Sequence, residues 1–240
     1  MTAADKKEIA HFLDICSDTL HGGYRSGKKE YNFLDDATQS AEIQRPARPG
    51  NTDSLEQIAK EIKTCTACKL CKTRTNAVPG NGVKNPSVMI IGNNPDIEED
   101  TSGSYFEGLA GERLNKMLNP IGLSLDSNCF VTGVVKCRTP DKREPMPEET
   151  TSCADFLHRQ ILVLNPQIIL CTGLIAAQSL LRSSDDINEL RGKILKLRID
   201  DIIIPVIVTY HPNEVWDNQE LKRPAWEDLK KLKVWLDTGN

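Results

Sequence analysis

A chain of 240 residues, 39% hydrophobic and 27% charged, has room for one sizeable α/β domain and an appendage, and it reads as a soluble globular protein. The formal net charge of −4 argues against a surface that is basic throughout, so any nucleic-acid contact must come from local basic clusters. No apolar run approaches the roughly 20 residues of a membrane span, and the opening MTAADKKEIA lacks an apolar signal core, so a cytoplasmic location without a membrane partner is expected.

In chain order, Ile9, Phe12, Leu13, Cys16 and Leu20 recur at helical spacing and predict a first helix. His21 to Asp53 is polar and rich in turn residues, so residues 1–53 read as a helix and flexible linker ahead of a domain over 54–240. Ser54 to Gln57 fits a capping box, and Leu55, Ile58 and Ile62 follow on one helical face. Val88–Ile91 predicts a strand, Leu114, Met117, Leu118 and Ile121 a helix, and Phe130–Val135 a second strand. A helix from about Pro147 carries Cys153, Phe156, Leu157, Ile161 and Leu164. Ile168–Cys171 is a third strand, Gly173–Leu181 a short helix, and Ile202–Thr209 a fourth strand. A last helix turns Trp226, Leu229, Leu232 and Leu236 inward. Strands apolar throughout, alternating with amphipathic helices, predict a three-layer α/β/α fold around a four-stranded parallel sheet. Ligands in such folds lie beyond the carboxyl ends of the strands. The segments after Ile91, Val135 and Thr209 are therefore the places to look.

Eight cysteines in a reducing compartment read as metal ligands or core thiols. CTACKLC puts Cys65, Cys68 and Cys71 at a helix end, Cys137 follows the second strand, and Cys153 lies in the next helix. One C-x-x-C pair plus two later cysteines can complete a four-thiolate shell. Zinc favours a second close pair, which is absent, and a cubane iron–sulfur cluster tolerates scattered ligands better. Cys71 competes for the fourth place, and Cys16, Cys129 and Cys171 read as core thiols.

These motifs together resemble a known family. CxxCxLCxxRTN, a strand ending in a G-x-x-P turn, YFEGLAGERLNKML, VVKCRTPDKREPMPEE, a late cysteine and TYHP are similar to the family-4 uracil-DNA glycosylases, the iron–sulfur branch of that superfamily. The resemblance runs from about Leu55 to Leu236. It implies base excision repair of DNA through hydrolysis of the N-glycosidic bond of a deaminated base, uracil first; a monomer is expected. It also implies a [4Fe–4S] cluster on Cys65, Cys68, Cys137 and Cys153. Phe106 falls on the aromatic that stacks on the extruded base. His211 falls on the histidine near the base carbonyl, and Trp216 on the loop that wedges into the duplex. Gly92 and Asn93 fall on the first base-binding motif.

The chain departs from the family pattern in that motif. GEAPG becomes Gly92-Asn93-Asn94-Pro95-Asp96, so Asn93 replaces the usual acid and Asp96 the last glycine. Gly133 stands where an asparagine usually reads the base edge, which predicts a larger and less selective pocket. Asn94 resembles the water-positioning residue of other branches. An amide oxygen can orient a water, although it is a far poorer base than a carboxylate. The alternative for Asn93 and Asn94 is a capping or turn role. Arg138, Lys193 and Trp216, with the basic clusters Lys136/Arg138/Lys142/Arg143, Lys193/Lys196/Arg198 and Lys222/Arg223, are candidate DNA contacts. Two readings follow: an active glycosylase, or a catalytically silent DNA-binding or structural iron–sulfur protein on the same scaffold.

Overall fold

The computed structural model describes residues 53–239. The helix and linker expected over residues 1–53 lie outside that range, apart from Asp53. Six strands form one sheet: β1 (Asn81–Gly82), β2 (Val88–Gly92), β3 (Cys129–Gly133), β4 (Ile168–Thr172), β5 (Ile194–Ile199) and β6 (Ile202–Thr209). Their order is β1-β3-β2-β4-β6-β5. The expectation of four strands is corrected to six. The pairs β3/β2, β2/β4 and β4/β6 run parallel, while β1 and β5 are antiparallel edges. β1 has only two residues. β5 carries charged Lys196 and Arg198 on its exposed side, so no continuous apolar run announces it.

β2, β3 and β4 are buried at every position. Successive side chains point to opposite faces, and each face is covered. Met89 and Ile91 pack with Ile58, Ile62, Leu157 and Ile161 on one side. Val88 and Ile90 pack with Leu114, Leu118, Leu229 and Leu232 on the other. Each fully buried aliphatic contributes about 1.5–3 kcal/mol relative to exposure, so both faces are held by the same effect. The covering helices are α1 (Leu55–Thr64), α2 (Ile97–Ser102), α3 (Gly108–Leu118), α4 (Pro147–Leu164), α5 (Leu174–Leu181), α6 (Ile187–Leu190), α7 (Pro212–Asp217) and α8 (Lys222–Thr238). Trp226 of α8, expected inward, is 39% exposed, whereas Leu229 and Leu232 are buried. Among the described residues, no helix is long and apolar enough to cross a membrane.

Three features place the site. Ser54 caps α1 by accepting from the Gln57 N–H at 3.1 Å, and the far end of that helix delivers Cys65. Arg159 of α4 bonds Asp53 at 2.8 Å and Glu61 at 2.6 Å, which ties α1 to the helix that carries Cys153. β3 ends at Gly133 rather than Val135. The Val134 and Val135 N–H groups then donate to the carbonyls of Gly92 and Asn93, both at 3.0 Å, so the exits of β2 and β3 stay side by side.

Candidate active site and cysteine cavity

The β2 exit is a turn whose side chains are mostly committed to local structure. Asn93 Oδ1 accepts from the Ala176 N–H at 3.0 Å, which satisfies an orphan amide in the first turn of α5. That helix begins after Gly173 and has no side-chain cap of its own. Asn94 Nδ2 donates to Thr139 Oγ1 and to the Pro95 carbonyl, both at 3.2 Å. Asp96 caps α2, accepting from the Glu98 and Glu99 N–H groups at 2.8 and 2.9 Å, while Glu99 accepts from the Asp96 N–H at 2.8 Å. Asp96 thus completes a capping box, each part of which is typically worth about 1 kcal/mol.

Glu99 links this turn to the aromatic pair that follows. Its second oxygen accepts from the Phe106 N–H at 2.6 Å, and burial pushes its carboxyl up to about 7. Phe106 sits in the left-handed region at φ 51°, a strained place for a bulky residue. The chain beyond must come close to it: a Cβ on Gly111 would lie 1.8 Å from the Phe106 carbonyl oxygen, so only glycine fits there. The Phe106 ring stacks on His211, with centroids 6.0 Å apart and an interplanar angle of 24°. Gly92 lies under both rings of the Tyr105–Phe106 pair, since a Cβ there would be 3.5 Å from each.

His211 caps α7. Its Nδ1 accepts from the Asn213 N–H at 3.3 Å, which leaves the proton of the neutral ring on Nε2. Burial pulls its pKa down to about 4, so the ring is neutral at physiological pH. Arg113 reaches the same helix start through Asn213 Oδ1 at 2.7 Å.

Gly133 overturns one expectation. A Cβ there would lie 1.9 Å from Tyr105 Oη and 2.6 Å from Tyr105 Cζ. The space freed by the missing side chain is filled by the phenol, so the pocket wall is not enlarged. Thr132 points to the opposite face, with its hydroxyl on the Pro79 carbonyl at 2.9 Å.

The candidate DNA contacts divide. Trp216 is 44% exposed, with the cationic groups of Arg113, Lys116 and Lys222 at 5.3, 5.1 and 5.7 Å from its ring centroid. Lys193 is exposed just before β5, whose first residue pairs with Ile207 near the carboxyl end of β6. Arg138 is half-buried, with its charge on Asp100 at 3.4 Å. Lys136, read as part of a basic cluster, is fully buried and cannot meet phosphate. Its Nζ donates to Thr132 Oγ1, Gly133 O and Gln160 Oε1 at 2.6, 2.9 and 2.7 Å.

On the α1/α4 side of the sheet, one cavity is lined by Cys65, Cys68, Cys71, Cys137 and Cys153, with Arg74 and Lys136. Among the described residues, no three His, Cys, Asp or Glu side chains are grouped tightly enough for a single metal ion. A cubane spreads its thiolates further apart than one ion does, because four irons and four sulfides lie between them. The donor set suits such a cluster in its charge as well. Arg74 donates to Cys137 Sγ at 3.1 Å, and the Lys136 N–H to Cys153 Sγ at 3.4 Å. Cations and N–H groups aimed at sulfur stabilise thiolates. Without a cluster, burial pushes the Cys137 thiol up to about 11 and raises that of Cys153. Cys71 remains a rival ligand, since it lines the same cavity. Cys129 and Cys171 are buried strand thiols, as expected.

Sequence reasoning passed over Tyr105 and Glu99 and misread Lys136 as a surface cation. The first had a signal: a glycine in place of a base-reading side chain asks what fills the gap, and a second aromatic lies beside Phe106. The other two look like surface charges in sequence and had none.

A sequence profile of the Uracil DNA glycosylase superfamily matches residues 79–230. The type-4 uracil-DNA glycosylase of Archaeoglobus fulgidus is 37% identical over 184 residues, covering 75% of this chain and 92% of the relative. That of Sulfurisphaera tokodaii is 38% identical over 186 residues, covering 75% and 84%. That of Saccharolobus solfataricus is 38% identical over 191 residues, covering 78% and 88%.

Proposed function

The chain belongs to the uracil DNA glycosylase superfamily, and from that premise we infer that it is a DNA-repair hydrolase that releases uracil from DNA. The observation that carries this reading is an aromatic–imidazole pair, Phe106 on His211, held at the carboxyl ends of the parallel strands in a chain 37% identical to such an enzyme over most of its length.

The reaction adds water across the C1′–N1 bond: hydroxide equivalent goes to C1′, the proton to the base, and an abasic sugar remains. An enzyme acting on a base must first take it out of the stack. Phe106 offers the stacking face. As the bond breaks, negative charge develops on the base carbonyl, and the neutral His211 donates its Nε2–H there. A neutral donor aimed at developing charge in a buried site costs no reorganisation at the moment of reaction. Asn94 has its amide nitrogen engaged by Thr139 and Pro95, and its oxygen is the end that orients the water. Asn93 supports the site from behind by holding α5. Trp216 with its ring of cations, and Lys193, take the duplex. Arg138, balanced by Asp100, sits at the rim.

In the cysteine cavity, Cys65, Cys68, Cys137 and Cys153 would hold a [4Fe–4S] cluster. Through these four thiolates the end of α1, the exit of β3 and the start of α4 would be cross-linked, a structural role. Residues 54–240 form the catalytic domain, which works as a monomer in the cytoplasm, with 1–53 an appendage.

Uracil, hypoxanthine and T·G substrates in single- and double-stranded oligonucleotides, scored for alkali-labile abasic sites, test the reading. Release of uracil supports it. No release from any substrate, with DNA binding retained, establishes the catalytically silent alternative, which the commitment of Asn93 to a helix amide favours.

A further inference from the structure

Tyr105 is 2% exposed, and its hydroxyl is buried with no hydrogen-bond partner among the described residues. Buried polar atoms are nearly always paired, so an orphan of this kind calls for an explanation. Its position supplies one. The oxygen lies 1.9 Å from the point where a side chain at Gly133 would begin. It is therefore at the exit of β3, on the wall shared with the β2 turn.

The neighbouring side chains have other uses. Asn93 Oδ1 is on the Ala176 N–H, and Thr132 faces away towards Pro79. The Tyr105 ring instead sits beside Phe106, with centroids 5.7 Å apart, and over Gly92. Two backbone bonds fix this dipeptide: Tyr105 N–H to Asn81 Oδ1 at 2.7 Å, and Phe106 N–H to Glu99 at 2.6 Å. The aromatic that would stack on a base and the orphan hydroxyl are thus adjacent residues on one rigid support.

We propose that Tyr105 is the base-reading residue of this chain: its hydroxyl takes the place of the side chain absent at Gly133 and hydrogen-bonds the pyrimidine edge of the extruded uracil. This rests on the glycosylase reading above. Burial, with Glu99 and Asp96 nearby, raises the phenol pKa well above its usual value, so the proton stays on the oxygen. A protonated hydroxyl donates one hydrogen bond and accepts others. It can donate a hydrogen bond to O4 and accept one from N3–H.

Tyr105→Phe isolates the oxygen, because it keeps the ring and removes an unpaired polar atom. The probe is a duplex carrying 2′-fluoro-2′-deoxyuridine, whose fluorine makes the glycosidic bond resistant to hydrolysis, compared with the same duplex carrying a paired thymidine, which shares O4 and N3–H and serves as the measure of DNA binding without an extruded base. The parent should prefer the uracil analogue. Tyr105→Phe should lose about tenfold of that preference, the upper end for one neutral hydrogen bond. Its affinity for the thymidine duplex should hold and its melting temperature should not fall. Uracil release should drop by a similar factor. The double variant Tyr105→Ala/Gly133→Asn moves the reading group back to the strand and should recover the preference. It also serves as the deciding measurement if Tyr105→Phe fails to fold.

Equal preference and equal rate in parent and Tyr105→Phe overturn the proposal and make the phenol a space-filler. So does a parent with no preference for the analogue. A parent that binds the analogue selectively through Tyr105 but releases no uracil overturns the glycosylase reading and leaves this one standing.

Discussion

Adding a single methyl group at Gly133 should destabilise the protein, and the cost should depend on Tyr105. The Cβ of Gly133→Ala would lie 1.9 Å from Tyr105 Oη, 2.6 Å from Cζ and 2.9 Å from the Asn93 carbonyl oxygen. Real contacts of this kind exceed 3 Å, so atoms must move. The carbonyl cannot retreat freely, because it accepts from Val135 N–H at 3.0 Å. The Tyr105 ring is 2% exposed, so it has little room either. Overpacking of a filled core costs typically 1–3 kcal/mol, and two obstructed directions put this case near about 3 kcal/mol. In a domain of this size that is roughly 6–12 °C in Tm. Tyr105→Ala alone should cost about 3–5 kcal/mol, as for other large aromatic truncations. In the double variant the clash is gone, so its cost should fall short of the sum by about 2 kcal/mol. Urea denaturation of the four proteins reads all three values. Gly133→Ala as stable as the parent, or a double variant additive within about 0.5 kcal/mol, would show that the phenol does not occupy this space. Gly133→Asn alone carries the same clash and is therefore not a clean test of uracil preference.

Asn94→Ala should slow uracil release by roughly 10²-fold, the lower end for a positioned acid–base group, with DNA affinity nearly unchanged. An unchanged rate would return Asn94 to a turn-stabilising role. His211 should make stability fall on acidification. Its folded pKa of about 4 lies below the ordinary 6.5, so the unfolded chain takes up the proton first and stability is lost as the pH drops from 6.5 towards 4. The shift corresponds to at most about 3 kcal/mol, and His211→Gln should flatten the stability profile in that window. A profile unchanged by the substitution would refute a half-buried, neutral imidazole. Protein purified without oxygen should be brown and contain about four irons per chain, as the four-thiolate cubane requires. Cys65→Ala or Cys137→Ala should lower both iron content and solubility. A colourless parent with stoichiometric zinc would refute the cubane assignment.

The sequence by itself determined the central layers. Val88–Ile91 and Ile168–Cys171 are apolar without interruption because both faces of these strands are covered, and α3, α4 and α8 show the amphipathic spacing of helices packed on a sheet. Short-range periodicity carries that information. It does not carry the edges: β5 alternates charged and apolar residues, and β1 is too short to have a period. The cysteines were legible as a set from residue type and spacing, and the TYHP motif put His211 just past the last expected strand. Only the tertiary structure decided what each side chain does there. Asn93 turns from the pocket to an amide 83 positions on. Lys136 is buried among Thr132, Gln160 and the Gly133 carbonyl. The gap at Gly133 is filled by Tyr105, 28 residues earlier in the chain. A glycine in sequence reads as empty space. Whether that space stays empty depends on which distant side chain close packing brings into it.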